Sequence, residues 1–188
     1  GKIFIVFLCF AILFDCFDFL WGLSFSVFYH NKINLNYITY INLFLSSAAV
    51  FGWVVFSFSF IGKKIKNNYQ IYLFLFIYVI QNIFFLKDIL QNSFSRNAFF
   101  GLHFIVFLVL SIIVLIDLLK EKEKSKKKYI STILVLSLIS LITTILQNLF
   151  LAVPVYTMSI TYSSFIIYSR IITYEASKNL AKYQFIEN

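Results

Sequence analysis

The sequence predicts an all-helical, polytopic integral membrane bundle of six transmembrane helices with both termini on the cytoplasmic side (N-in/C-in). Three observations carry this. Of 188 residues, 61% are hydrophobic and only 13% charged; apolar runs of membrane-spanning length recur six times along the chain; and the basic residues fall on one side of the resulting arrangement. A bilayer core of roughly 30 Å takes about 20 mostly apolar residues per helix. No water-soluble architecture has room to bury six such runs.

The first run, Ile3–Phe28, follows a single Lys2. It exceeds the usual apolar length of a signal peptide and has no small-x-small cleavage pattern after it, so it is expected to remain as a helix of the mature chain. The second, Tyr37–Ile61, follows the polar joint YHNKINLN, and the third, Tyr69–Leu86, follows GKKIKNN. After KDILQNSFSRN comes the fourth, Ala98–Leu119, and after the Lys120–Lys128 run KEKEKSKKK the fifth, Tyr129–Val153. Pro154, the only proline, separates the sixth run, Val155–Tyr174, because it lacks an N–H and restricts the residue before it. A single helix kinked at Pro154 is the competing reading and would move the C-terminus across the membrane. Residues 175–188 form a short amphipathic cytoplasmic tail, and no joint is long enough for a soluble domain.

Charge sets the orientation. With six crossings and the N-terminus inside, 13 of the 16 basic residues are cytoplasmic: Lys2, Lys63, Lys64, Lys66, the six lysines between 120 and 128, Arg170, Lys178 and Lys182. Lys32, Lys87 and Arg96 alone lie outside. This is the asymmetry of the positive-inside rule. The formal charge of +8 is therefore read as topology, and nucleic acid is not expected as a partner. Asp117, Glu121 and Glu123 lead into the lysine run, which is expected to prolong the fourth helix with Glu123 and Lys127 at i,i+4.

Polar groups inside the apolar runs are the candidate functional residues, since each costs free energy unless it is paired or wet. Asp15 and Asp18 stand at i,i+3 of the first run and share one helix face. They read either as a cation or proton site, or as carboxyls that are protonated and merely hydrogen-bonded within the bundle. Gln81-Asn82 and Gln147-Asn148 recur in the third and fifth runs at matching depth, with His103 of the fourth run at a similar level. They read as interhelical hydrogen-bonding glue or as an outer polar vestibule. The sixth run is the least apolar, with Thr157, Ser159, Thr161, Ser163, Ser164 and Ser169, and is expected to be covered by other helices or another subunit. Five glycines without a GxxxG pattern lead to the expectation that the helices pack through large side chains.

Enzymatic constellations are missing from the sequence: no HExxH, no Gly-rich phosphate loop and no nucleophile elbow. Cys9 and Cys16 lie two turns apart on one helix, unsuited to a disulfide within it, and supply no zinc-ligand spacing. His30 sits at the interface, away from a cavity it would have to share with His103 to ligate a haem. No cofactor or metal is expected. The leading expectation is a non-enzymatic oligomeric sensor, scaffold or membrane subunit of a larger complex. Its basic inner segments, Lys63, Lys64, Lys66, Lys120, Lys122, Lys124, Lys126, Lys127 and Lys128, would contact anionic lipid headgroups or a cytosolic partner. Its size and composition parallel membrane members of phage-defence, immunity and signalling systems and small subunits of respiratory complexes; the expected location is a bacterial inner membrane, with an organellar inner membrane as the alternative. The competing expectation is a small ion- or proton-coupled transporter or channel built on Asp15 and Asp18.

Overall fold

The computed structural model describes residues 2–27, 32–63, 65, 68–85, 92–149, 157–170 and 173. Of these, 94% are helical and none is in a strand. The helices are α1 (Lys2–Val27), α2 (Lys32–Phe60), α3 (Tyr69–Ile80), α4 (Ser93–Lys120) and α5 (Lys124–Leu149), followed by α6 at 157–170. Among the described residues, four apolar stretches are long enough to cross a membrane: Lys2–Leu23, Asn36–Phe60, Ser93–Lys120 and Lys126–Gln147. Pro154, His30, Lys64, Lys66 and the 175–188 tail lie outside the described residues.

The surface is that of a protein inverted with respect to water. Large apolar side chains such as Ile5, Phe76, Ile112, Ile142 and Phe165 point outward, while ten serines among the described residues are buried. Lipid satisfies the former, and the latter must find partners inside. Large side chains do fill the centre, where Phe7 stacks on Phe56 at 5.6 Å and tilts against Trp53 at 5.5 Å. Small residues nevertheless line the crossings, contrary to the sequence expectation, and they are serine and alanine instead of glycine. Ser46, Ser47, Ala48 and Ala49 are buried on α2, and the Trp53 indole donates to Ser137 of α5 at 3.3 Å. Gly52 is the close-approach glycine: a Cβ there would lie 3.7 Å from the Cα of Phe7. Any branch beyond it would push α1 off α2.

Local sequence sets the helix ends, and it shifts several of them from where hydropathy places them. Asn92 caps α4 by accepting from the Phe94 N–H, so the helix starts five residues before the apolar run at Ala98. Asn68 caps α3 in the same way through Gln70. Gly62, at φ 83°, ends α2: its N–H bonds the Ser59 carbonyl, and the Lys63 N–H reaches back to Phe58. The lysine run prolongs α5, not α4. Glu121 adopts an extended conformation and its carboxylate accepts from the N–H groups of Lys122 and Glu123, which stops α4 at Lys120. α5 then begins at Lys124, and the ion pair formed is Lys126–Glu123 at 2.8 Å rather than Glu123–Lys127. Within the described residues the third run is helical over Tyr69–Phe85, with Gln81–Phe85 as a π-helical turn.

Neighbouring helices run antiparallel, which gathers their ends. Phe4 of α1 meets Phe56 of α2 at 5.3 Å and Tyr168 of α6 at 6.5 Å, and Phe60 of α2 meets Tyr129 of α5 at 5.7 Å. Lys63, just after α2, pairs with Asp117 near the end of α4 at 2.7 Å and lies over the Phe58 ring. One end of the bundle thus collects the start of α1, the ends of α2, α4 and α6, and the start of α5. Lys2, Lys63, the lysines from 120 to 128 and Arg170 are all at that end.

Candidate functional site

Asp15 and Asp18 lie near the middle of α1 on a common face, as their i,i+3 spacing dictates. Two other helices come to them. From α6, the Thr161 hydroxyl donates to Asp15 Oδ2 at 2.5 Å and the Thr157 hydroxyl donates to Asp18 Oδ2 at 2.5 Å. Thr157 and Thr161 are themselves at i,i+4, so the two threonines and the two carboxylates face each other in an antiparallel register. From α2, Asn42 Nδ2 donates to Asp18 Oδ1 at 2.9 Å. One turn further along α1, the Trp21 indole donates to Thr39 of α2 at 2.9 Å and extends the same seam.

Hydrogen-bond donors are scarce here. Thr161 has a single proton and two acceptors within reach, Asp15 Oδ2 and the Thr157 carbonyl at 2.9 Å. Among the described residues, Asp15 Oδ1 and Asn42 Oδ1 are buried without a hydrogen-bond partner, although Asn42 itself is only 6% exposed. Neither aspartate has a basic partner among the described residues, whose ion pairs are Lys63–Asp117 and Lys126–Glu123. The cluster is thus a set of acceptors held in place by too few donors.

Beside it an open groove of about 830 Å³ runs between α1 and α6. Asp15, Asp18, Thr157 and Thr161 line it together with Phe19, Trp21, Gly22, Leu23, Met158, Tyr162 and Phe165. Phe19, Met158, Tyr162 and Phe165 are exposed. Among the described residues no three His, Cys, Asp or Glu side chains come together to hold a metal ion.

The remaining polar residues singled out from the sequence are not part of this cluster. Gln81 Nε2 donates to the Phe99 carbonyl of α4 at 3.2 Å, while Asn82 exchanges hydrogen bonds with Ser47 of α2 at 3.0 and 3.1 Å. Asn82 also donates to the Tyr78 carbonyl of its own helix at 2.8 Å. His103 is fully buried one turn beyond Phe99, edge-on to Phe99 and Phe100 at 5.0 and 6.2 Å. Gln81 and His103 are therefore brought to the same stretch of α4. Gln147 is half-buried on α5, and the side chain of Asn148 lies outside the described residues. Lys120, Lys122, Lys124, Lys126, Lys127 and Lys128 are exposed around the α4–α5 turn.

Sequence reasoning did not connect Asn42, Thr157 and Thr161 with the aspartates. The threonines were visible only as part of a polar sixth run, and Asn42 as one amide in an apolar one. The usable signal was spacing: threonines at i,i+4 match carboxylates at i,i+3 on an opposing helix.

The fold and the cluster together describe an all-helical protein with several long apolar helices, as an integral membrane protein has. The chain matches no protein-family model, no curated protein and no solved structure.

Proposed function

We propose that this chain is a non-enzymatic integral membrane protein of six crossings, with both termini cytoplasmic, that binds a cation or proton within the membrane at Asp15 and Asp18 as a small cation-coupled carrier. The observation that carries this reading is the convergence of α1, α2 and α6 on two carboxylates that have no counter-charge among the described residues. A carboxylate at mid-helix costs about 2.5–3.5 kcal/mol on insertion scales. Two of them held on one face beside an open groove supply an expense and a binding surface together. The 13 to 3 division of basic residues in the sequence, and the gathering of Lys2, Lys63, Arg170 and the lysines from 120 to 128 at one end of the bundle, support the orientation.

Flux into proteoliposomes, with and without a pH gradient, tests the reading. Wild-type protein drives cation or proton flux, and the Asp15→Asn/Asp18→Asn variant inserts normally and loses it. Full flux in the double variant refutes the carrier. For topology, single cysteines replacing Asn92, Lys124 and Tyr183 in a background without Cys9 and Cys16 are labelled from each side. Residue 92 labels from outside, 124 and 183 from inside; 124 and 183 on opposite sides would refute six crossings.

A second reading, a scaffold or sensor subunit that docks a cytosolic partner, is favoured by the exposed lysines of the α4–α5 turn. It expects Lys124, Lys126, Lys127 and Lys128→Gln to reduce co-purification of a cytosolic protein without loss of insertion, and unchanged recovery counts against it.

A further inference from the structure

We infer that the groove between α1 and α6 binds an amphiphilic organic cation, a single positive centre on a bulky apolar body, which enters sideways from the lipid and is neutralised by Asp15 and Asp18. This rests on the reading of the aspartates as a cation site and names the class of cation.

The cluster presents four carboxylate oxygens and the Asn42 carbonyl, against two hydroxyl protons and one amide. Two buried acceptors, Asp15 Oδ1 and Asn42 Oδ1, are left without donors among the described residues. A buried acceptor without a donor costs on the order of 1–3 kcal/mol; of the two, Asp15 Oδ1 belongs to a residue that lines the groove, and a positive centre bound there beside the ionised carboxylates would relieve it. The chain does not carry that group at this depth: there is no lysine or arginine between residues 3 and 31, or between 129 and 169. A second copy of the chain would bring none either. A positive centre at this depth would have to come from a ligand.

The groove then selects among cations. Both threonine hydroxyls donate to the carboxylates and hold them in place at the groove. Beyond the carboxylates the walls are carbon: Phe19, Trp21, Met158, Tyr162 and Phe165. Nothing in that wall replaces the water shell of an inorganic ion, whereas aromatic faces attract and enclose an organic cation. A space of about 830 Å³ falls within the range of small-molecule sites, roughly 300–1,000 Å³. Its outer wall is open where a membrane-embedded α1 and α6 would meet lipid, with Phe19 68%, Tyr162 64% and Phe165 67% exposed. A hydrophobic cation concentrates there before it binds.

The test is equilibrium binding of tritiated tetraphenylphosphonium to the full chain in nanodiscs of neutral lipid, with triphenylphosphine oxide as the uncharged comparison. Saturable binding is expected, weakened at least about 30-fold in Asp15→Asn/Asp18→Asn and at least about 30-fold for the uncharged compound, as loss of a desolvated charge pair implies. Phe165→Ala, on the wall and outside the hydrogen-bonded cluster, is expected to weaken binding about 3- to 10-fold through lost ring contact. It keeps the proposal open to refutation if the aspartate variant misfolds. Equal affinity for the uncharged compound, unchanged binding in the aspartate variant, or no effect of Phe165→Ala overturns the proposal. If tetraphenylphosphonium fails to bind while aspartate-dependent proton or sodium flux persists, the organic-cation class fails and the cation site stands. If both are absent, both fail.

Discussion

Replacing Thr157 by Val removes the hydroxyl that donates to Asp18 Oδ2 at 2.5 Å while preserving side-chain volume, and Asp18→Asn removes the charge it serves. Asp18 keeps a second donor, Asn42 Nδ2 at 2.9 Å, so the loss is that of one bond and not of the whole site. Hydrogen bonds to charged groups contribute about 1.5–3 kcal/mol in general, but interhelical bonds in membranes average about 0.6 and reach about 1.7. Thr157 is half-buried beside an open groove. That places the expected coupling between Thr157 and Asp18 at about 1 kcal/mol, roughly a fivefold change in an equilibrium constant. The assay is reversible unfolding in mixed detergent micelles of wild type, Thr157→Val, Asp18→Asn and the double variant, analysed as a cycle. A parallel cycle pairs Thr161→Val with Asp18→Asn, and it should be additive within about 0.5 kcal/mol because Thr161 serves Asp15. Coupling below about 0.2 kcal/mol in the first cycle, or equal coupling in both, would refute the assignment of separate threonines to separate aspartates.

Three further outcomes follow from geometry. Gly62→Ala should destabilise by about 1 kcal/mol in the same unfolding assay, since φ 83° is left-handed and costs a side chain with a Cβ; Gly62→Asn should lose less. Gly52→Ala should be tolerated, because its Cβ meets Phe7 at ordinary contact distances, whereas Gly52→Leu should cost about 1–3 kcal/mol by overpacking the α1–α2 crossing. Lys63→Ala or Asp117→Ala should each cost about 0.5 kcal/mol at low salt and less at high salt, since both side chains are about a quarter exposed; a salt-independent loss would show that the pair is shielded from solvent.

Hydropathy made the long helices legible because length and apolarity are properties of a contiguous segment. The common face of Asp15 and Asp18 was legible for the same reason: i,i+3 is a local relation. The partners of those aspartates were not, because Thr157 and Thr161 lie 139 and 146 residues away and reach them only through antiparallel packing of α6 on α1. Helix termini were legible where a polar joint interrupted the apolar run, as at Gly62, and not where a charged run followed it directly. The Lys120–Lys128 run looks continuous with α4, yet one side-chain oxygen of Glu121 folds onto the next two N–H groups and ends the helix there. Small-residue packing is not visible in the glycine pattern because this chain uses serine, whose hydroxyl can bond its own backbone, as Ser46 does on Leu43 at 3.0 Å and Ser164 on Ile160 at 2.8 Å.

The π-helical turn at the end of α3 bears on how the chain is assembled during synthesis. It lets two consecutive side chains diverge, Gln81 to the Phe99 carbonyl of α4 and Asn82 to Ser47 of α2. α2 precedes α3 and waits for it, but Phe99 is 18 residues downstream and emerges later. A segment carrying two amides whose partners lie on other helices gains less by entering lipid alone. Its stable residence is therefore deferred until α4 arrives, so that nascent chains cut after about residue 90 should leave α3 extractable, and chains extended through α4 should retain it.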